Sequence, residues 1–427
     1  MMTFKAHRNV VQLAMATVAA VLAVAGCIPA AAQTESVLYS FQGGFDGAQP
    51  VAGLIDKAGN LFGTTAFGGS AGSGTVFELT PPSTPGGSWT ESVLYSFQGG
   101  TDGYFPYSAL VSDPAGNLYG TTLAGGAVCP ICGTVFKLSK RGGVWTETIL
   151  HSFGFTDGAN PFGKLLLAND GNLYGTTVSG GDFSAGTVFE LCAPNRPRGA
   201  WTEKVLYSFT GSSDGAQPLS DIVRDPAGRL FGTASAGGSG FGVVFQLRQG
   251  RSGWTETPIY SFTGANDGAS PYDGVAFDGH GSLIGVASMG GDPSCPGGGC
   301  GTVYRINPPA HAGGSWSENT LYTFTGGLDG AQPLAKPIVD GKGKVYGTAS
   351  IDGVAYPCYP SCGTVFELAP PNSSTHMWTE TMLYDFGGGG DGSSPQASLV
   401  VGKGGVLYGT TLSGGNPGEG TIFAVAP

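Results

Sequence analysis

From Glu35 onward the chain consists of short runs in which apolar and polar residues alternate, broken by clusters of Gly, Pro, Asn and Asp. Alternation with period two is the signature of half-buried β-strands. Four such runs follow one another and then the set repeats. Ala109 to Asp113 and Asn117 to Thr122 flank the turn Pro114-Ala115-Gly116 and are expected to pair as a tight antiparallel hairpin. Gly133 to Leu138 is a third strand, with Thr and Phe alternating against Val and Lys. Trp89 to Phe97 represents the fourth, where alternation puts Val93, Tyr95 and Phe97 on one face and Leu94 and Ser96 on the other.

The set occurs seven times. Its most regular mark is a Gly in the second strand, at Gly63, Gly120, Gly175, Gly232, Gly285, Gly347 and Gly409, spaced by 53 to 62 residues. Seven copies of four antiparallel strands predict an all-β fold, a seven-bladed β-propeller of four-stranded antiparallel blades. The order of strands at the two ends predicts how the ring closes. Glu35 to Phe41 is a fourth strand without a preceding hairpin, and Gly420 to Val425 is a third strand without a fourth, so the N-terminal strand completes the last blade. A β-solenoid is the alternative, but it needs capping units that this split repeat does not supply.

Residues 1–33 read differently from the rest. Lys5 and Arg8 precede an uncharged, mostly apolar run from Val10 to Ala25, as in a secretory signal peptide, leaving residues 34–427 as a single propeller domain. Two cleavage points compete. Val24-Ala25-Gly26-Cys27 has the form of a lipobox, which would lipidate Cys27, and Ala30-Ala31-Ala32 suits ordinary signal peptidase. The mature protein is therefore expected outside the cytoplasm, whether periplasmic, anchored to the outer membrane through Cys27, or secreted, with no spanning segment after signal removal. Export makes sense of the cysteines: the close pairs Cys129/Cys132, Cys295/Cys300 and Cys358/Cys362 are expected to be loop disulfides. Zinc is the competing reading, although each pair supplies only two ligands. Cys192 has no neighbour in sequence and is either a small strand-end residue or a free thiol.

The recurring phrases Gly-Asn-Leu-Tyr-Gly-Thr-Thr, Gly-Gly, Gly-Thr-Val-Phe-Glu-Leu, Trp-Thr-Glu and Val-Leu-Tyr-Ser-Phe resemble the GloVer tandem-repeat family of exported bacterial proteins over essentially all of the mature chain. The Gly-Gly after the second strand and the Trp opening the fourth are also similar to kelch repeats, which form propellers. The resemblance implies the fold and export. It implies no enzyme activity, and with no sorting signal before Pro427, Cys27 is the one candidate anchor.

Candidate chemistry concentrates in the loops that leave strands two and four, which in a propeller emerge on one face. Each strand-four exit carries Asp-Gly, at Asp46, Asp102, Asp157, Asp214, Asp267, Asp329 and Asp391, with a Pro four residues after the Asp. The structural reading is an Asx-type turn with Gly at positive φ. The functional reading is a carboxylate ring, for which Ca²⁺ is the conceivable cofactor; each loop offers one obvious carboxylate where Ca²⁺ takes six or more oxygens. Asp221 and Asp273 follow the loop Pro in two of these copies. Basic residues on this face reduce to Lys164 and Lys336, so an acidic face is expected, opposite a more basic one. A net charge of −11 argues against nucleic acid as a partner. Aromatic residues that depart from the repeat, Tyr104, Phe105, Tyr107, Phe162, Tyr272, Tyr356 and Tyr359, either pack between blades or stack on sugars. The five His have no nucleophile in an evident pairing.

These observations favour a monomeric, non-catalytic propeller that binds a glycan, a cation or a protein at the cell surface. The alternative is a carbohydrate-active hydrolase or lyase that uses carboxylates of the same face, Asp221 and Asp273 among them.

Overall fold

The computed structural model describes residues 35–196, 199–295, 297–311, 313–351, 362–373 and 375–427. Seven four-stranded antiparallel sheets make up the fold, as the repeat predicts. Blade 1 contains Ile55–Lys57, Asn60–Thr65, Thr75–Thr80 and Thr90–Ser96 in spatial order, and blades 2 to 6 follow the same order. Blade 7 is built from Val400–Val401, Leu407–Thr411 and Thr421–Val425, and Glu35–Ser40 pairs antiparallel with the last of these as its fourth strand. The two ends of the propeller chain are thus hydrogen-bonded to each other, and no blade is left with an open edge at the junction.

The second and third strands are buried on both faces, because each blade is covered by a neighbour on either side. That explains the repeat's most constant pair. Gly120 lies opposite Phe136 across the ladder, and a Cβ on Gly120 would meet the Phe136 ring at 2.7 Å; the same relation holds between Gly63 and Phe77 at 2.6 Å. The ring that covers each glycine meets, edge to face, the Phe that ends the fourth strand of the preceding blade. Phe41–Phe77, Phe97–Phe136, Phe153–Phe189, Phe209–Phe245, Phe262–Tyr304, Phe324–Phe366 and Phe386–Phe423 have centroids 4.9 to 5.3 Å apart. One aromatic contact therefore sits at each of the seven blade junctions, including the one that closes the ring.

Two details of the strands differ from the sequence reading. The first strand is only two residues long in most blades, Val111–Ser112 in blade 2, since the residues before it line the centre of the ring and have no strand to pair with. The fourth strand does not alternate cleanly. Its register shifts by one residue in all seven blades, between Val37 and Tyr39 in the N-terminal strand and opposite Val76/Phe77 in blade 1. This β-bulge turns Leu38, Leu94, Leu150, Leu206, Ile259, Leu321 and Leu383 toward the core, whereas Val37, Val93 and Val205 face solvent. Val93 and Phe97 are accordingly not on a common buried face. Among the described residues, no helix is long and apolar enough to cross a membrane.

Candidate functional site

Each strand-four exit begins with its Asp. The carboxylate accepts a bond from the Tyr hydroxyl seven residues before it, as in Tyr39–Asp46 at 2.9 Å, Tyr95–Asp102 at 2.7 Å, Tyr207–Asp214 at 2.9 Å, Tyr260–Asp267 at 2.9 Å, Tyr322–Asp329 at 2.9 Å and Tyr384–Asp391 at 3.0 Å. A backbone N–H in the same turn is a second donor, for example Thr210 to Asp214 at 2.7 Å. Asp157 is held instead by His151, with Nε2 2.9 Å from Oδ2. Each of the seven carboxylates is thus engaged in its own loop, on the outer strand of its blade. Two residues further on, the chain pairs with the loop leaving strand two, as between Tyr104 and Ala124, which brings both loops to one face.

The Pro that follows then packs on the Gly opening the third strand of the blade before it. A Cβ on Gly74 would lie 2.5 Å from Cδ of Pro106, and one on Gly133 would lie 2.7 Å from Cδ of Pro161. This close approach, which only glycine permits, directs the next residues inward to the centre of the ring.

There the repeats stop being alike. Residues one, two and three positions after the Pro line a central cavity of about 430 Å³, to which all seven blades contribute. Tyr107 stacks on Phe162 with centroids 5.7 Å apart, and Phe162 meets Tyr272 edge-on at 5.9 Å, giving the cavity an aromatic wall. Lining the same cavity is a chain of polar contacts through five successive blades. The Lys164 N–H donates to Asp221 Oδ1 at 2.7 Å, and the Lys336 ammonium donates to Asp221 Oδ2 at 2.7 Å. Asp273 receives the Gly274 N–H at 2.7 Å and the Asp221 N–H at 3.4 Å on Oδ1, and the Lys336 N–H at 2.9 Å and the Ser398 hydroxyl at 3.3 Å on Oδ2. Asp221 and Asp273, expected on sequence as candidate partners, are brought together, with Lys336 bonded to both and the Lys164 N–H to Asp221, so that two basic residues accompany the two acidic ones.

The electrostatics distinguish the two lysines. Burial pushes the Lys164 ammonium below its ordinary range and the Lys336 charge adds to this, against the pull of Asp221 and Asp273. Burial acts on Lys336 too, yet the two carboxylates hold it above its usual value. Asp273 is pushed up by burial and by Asp221, with Lys336 opposing. Among the described residues, no carboxylate forms an ion pair with the Lys164 ammonium, whose charge is therefore not neutralised there by direct contact.

Other sequence candidates lie elsewhere. Tyr104 donates its hydroxyl to the Pro130 carbonyl, in the loop leaving strand two of blade 2, at 2.9 Å and packs on Phe105, and it is not part of the cavity lining. Cys129–Cys132 and Cys295–Cys300 are disulfides, with Cα atoms 5.4 and 5.6 Å apart, and Cys192 is a free, half-buried thiol at the end of a third strand. The third expected pair, Cys358/Cys362, is described on one side alone. Cys362 is disulfide-bonded and buried, two residues before the third strand of blade 6, where it packs with Val365, Leu383 and Phe386. Cys358, expected as its partner, lies outside the described residues, as do Cys27, Tyr356 and Tyr359. Cys362 is thus packed in the cluster shared by blades 6 and 7.

Lys164, Lys336, Ser398 and Phe162 were not marked as one site by sequence. The signal was present as charged or hydroxyl residues three positions after the Pro, where Gly53, Ala109 and Gly274 stand in other copies.

The chain belongs to the Gloeobacter/Verrucomicrobia repeat family, whose sequence pattern matches residues 27–239, 146–357 and 298–427. No curated protein matches it by sequence. Among solved structures it is similar to an ancestral GH74 enzyme, with a TM-score of 0.53 and 14% identity over 89% of this chain and 48% of that one. It is also similar to a PL25 ulvan lyase, with a TM-score of 0.47 and 9% identity over 88% and 94% of the two chains. At these identities the likeness is one of fold.

Proposed function

We propose that this is an exported, non-catalytic propeller whose central cavity binds the end of a glycan that carries an acidic sugar. The observation that carries the reading is the meeting of Tyr107, Phe162 and Tyr272 with Lys164, Asp221, Asp273 and Lys336 in one cavity. Aromatic faces suit the apolar side of a pyranose ring, and the Lys164 ammonium suits a carboxylate or sulfate. Export rests on the signal-like residues 1–33 and accords with the disulfides Cys129–Cys132 and Cys295–Cys300. Anchoring through Cys27 belongs to the same proposal. The Asp-Gly carboxylates support the loops of the face instead of forming the ligand contacts.

A hydrolase or lyase reading draws on Asp273, which burial and the neighbouring Asp221 push up toward the protonated form that a proton donor needs. Against it, both carboxylates are occupied by backbone N–H groups and the Lys336 ammonium.

Calorimetric titration of residues 34–427 with neutral and uronate-containing oligosaccharides tests the proposal. Tyr272→Ala should weaken binding about 10-fold or more. Lys164→Met should cost about 10-fold for acidic ligands and little for neutral ones. Absence of binding to any acidic oligosaccharide would overturn the proposal. Reducing ends appearing during incubation, and lost in Asp273→Asn, would favour the enzyme.

A further inference from the structure

The fourth strand of blade 2, Val144–Ser152, departs from the repeat at one position. Six blades carry Tyr39, Tyr95, Tyr207, Tyr260, Tyr322 or Tyr384 as the partner of the loop Asp, and blade 2 carries His151. The replacement preserves the hydrogen bond, with Nε2 2.9 Å from Asp157 Oδ2, and the edge-on contact with the next Phe, Phe153, at 4.7 Å. It also changes what the position can do. A neutral phenol is a poor ligand for a divalent ion, whereas imidazole nitrogen is among the best.

A third ligand comes from the next blade. Glu203, in the strand Thr202–Ser208 of blade 3, places a carboxylate oxygen so that the ligand atoms of His151, Asp157 and Glu203 all lie within 4.8 Å of one another. One Glu203 oxygen, Oε1, is inaccessible to solvent and has no hydrogen-bond donor among the described residues. Orphaned glutamate oxygens recur at Glu35, Glu91, Glu147, Glu256 and Glu380, so the orphan alone does not distinguish this junction. The imidazole does. On giving up its Nε2 proton, His151 offers a nitrogen lone pair beside the Asp157 and Glu203 carboxylates, which no phenol in the other blades does.

We infer that His151, Asp157 and Glu203 form a binding site for a borderline divalent transition-metal ion such as Zn²⁺, clamping blade 2 to blade 3. A tetrahedral ion with ligand bonds of about 2.0–2.2 Å needs ligand atoms about 3.4 Å apart, which small rotamer adjustments of the three side chains provide. The His151 and Asp157 side chains are 20% and 26% exposed, so a water can complete the coordination. One nitrogen and two carboxylates suit Zn²⁺ better than Ca²⁺, which seeks six or more oxygens. The site is separate from the central cavity, and neither depends on the other.

The repeat itself supplies the control. His151→Tyr restores the residue found in six blades and should fold normally, which its melting temperature in EDTA checks first. Zn²⁺ titrated into residues 34–427 at pH 7.5 should raise Tm to a plateau in the wild type and leave His151→Tyr unchanged, with Ca²⁺ producing no shift in either. Glu203→Gln keeps the side-chain volume and should weaken Zn²⁺ at least tenfold by calorimetry. Co²⁺ in place of Zn²⁺ should give a visible absorption band of a tetrahedral site with the wild type only. An absent Tm shift in the wild type, or an equal shift in His151→Tyr, would overturn the inference, the latter by assigning the metal to other histidines. If His151→Tyr is unstable, Zn²⁺ affinity unchanged in Glu203→Gln serves as the refuting result.

Discussion

Tyr304 shows what one atom does in a core that seven copies have already optimised. It occupies the position of Phe77, Phe136, Phe189, Phe245, Phe366 and Phe423, covering Gly285 as they cover their glycines. Its ring is fully buried, and its hydroxyl has no hydrogen-bond partner among the described residues. Burying an unpaired hydroxyl costs about 1–3 kcal/mol, and every other blade shows that Phe fits the space. Tyr304→Phe should therefore stabilise the protein by about 1 kcal/mol in urea unfolding; a loss of stability would mean that the hydroxyl has a function in the structure. The departure was visible in sequence as one Tyr among six Phe. Its consequence was not, since only the packing shows that no acceptor among the described residues lies within reach.

At the level of the strand, the informative feature is the bulge in the outer strand of each blade. Simple alternation puts Val93 on the face of Phe97 and Leu94 on the opposite one. One extra residue in the ladder reverses these assignments, placing Leu94 against the cluster of Phe62, Val76 and Phe97 and leaving Val93 exposed. Leu94→Ala should cost about 2 kcal/mol, and Val93→Ala less than about 1 kcal/mol. Equal costs in denaturant titrations would contradict this assignment. Sequence located the strand to within a residue at either end, yet a bulge has no strong composition signal, and here it became recognisable only from the pairing register.

Across the whole molecule, the fourth-strand glutamates form a second ring, each beside the loop Asp of the preceding blade. Burial, with Asp102 adding to it, raises Glu147 to about 8, and burial with Asp214 does the same for Glu256. Glu35, Glu91, Glu203, Glu318 and Glu380 rise to about 7, burial again leading. A carboxyl whose folded pKa lies above its unfolded value adds stability that is complete below about pH 4.5 and is lost as pH rises through 7 to 8. Asp113, Asp157 and Asp214 act oppositely: hydrogen bonds hold them below their ordinary value despite burial, and their contribution fades in stronger acid. Tm should thus be higher near pH 5 than at pH 8. Glu147→Gln combined with Glu256→Gln should flatten this slope and raise Tm at pH 8. A Tm independent of pH between 5 and 8 would show that these carboxyls ionise freely.

The number of blades, the order of their strands and the closure by Glu35–Ser40 were determined by the sequence alone. Those features depend on alternation, turn residues and repetition, all local properties written seven times. The central site was decided only by tertiary structure. Lys164, Asp221, Asp273, Lys336 and Ser398 stand in five different repeats, at positions where a single copy shows nothing unusual. They meet because a ring of wedge-shaped blades brings the same position of every repeat to one axis, so differences between copies that are far apart in the chain become one chemical environment. The junction of His151, Asp157 and Glu203 follows the same rule between neighbours: its ligands belong to two blades, and the distance between them is set by how those blades pack.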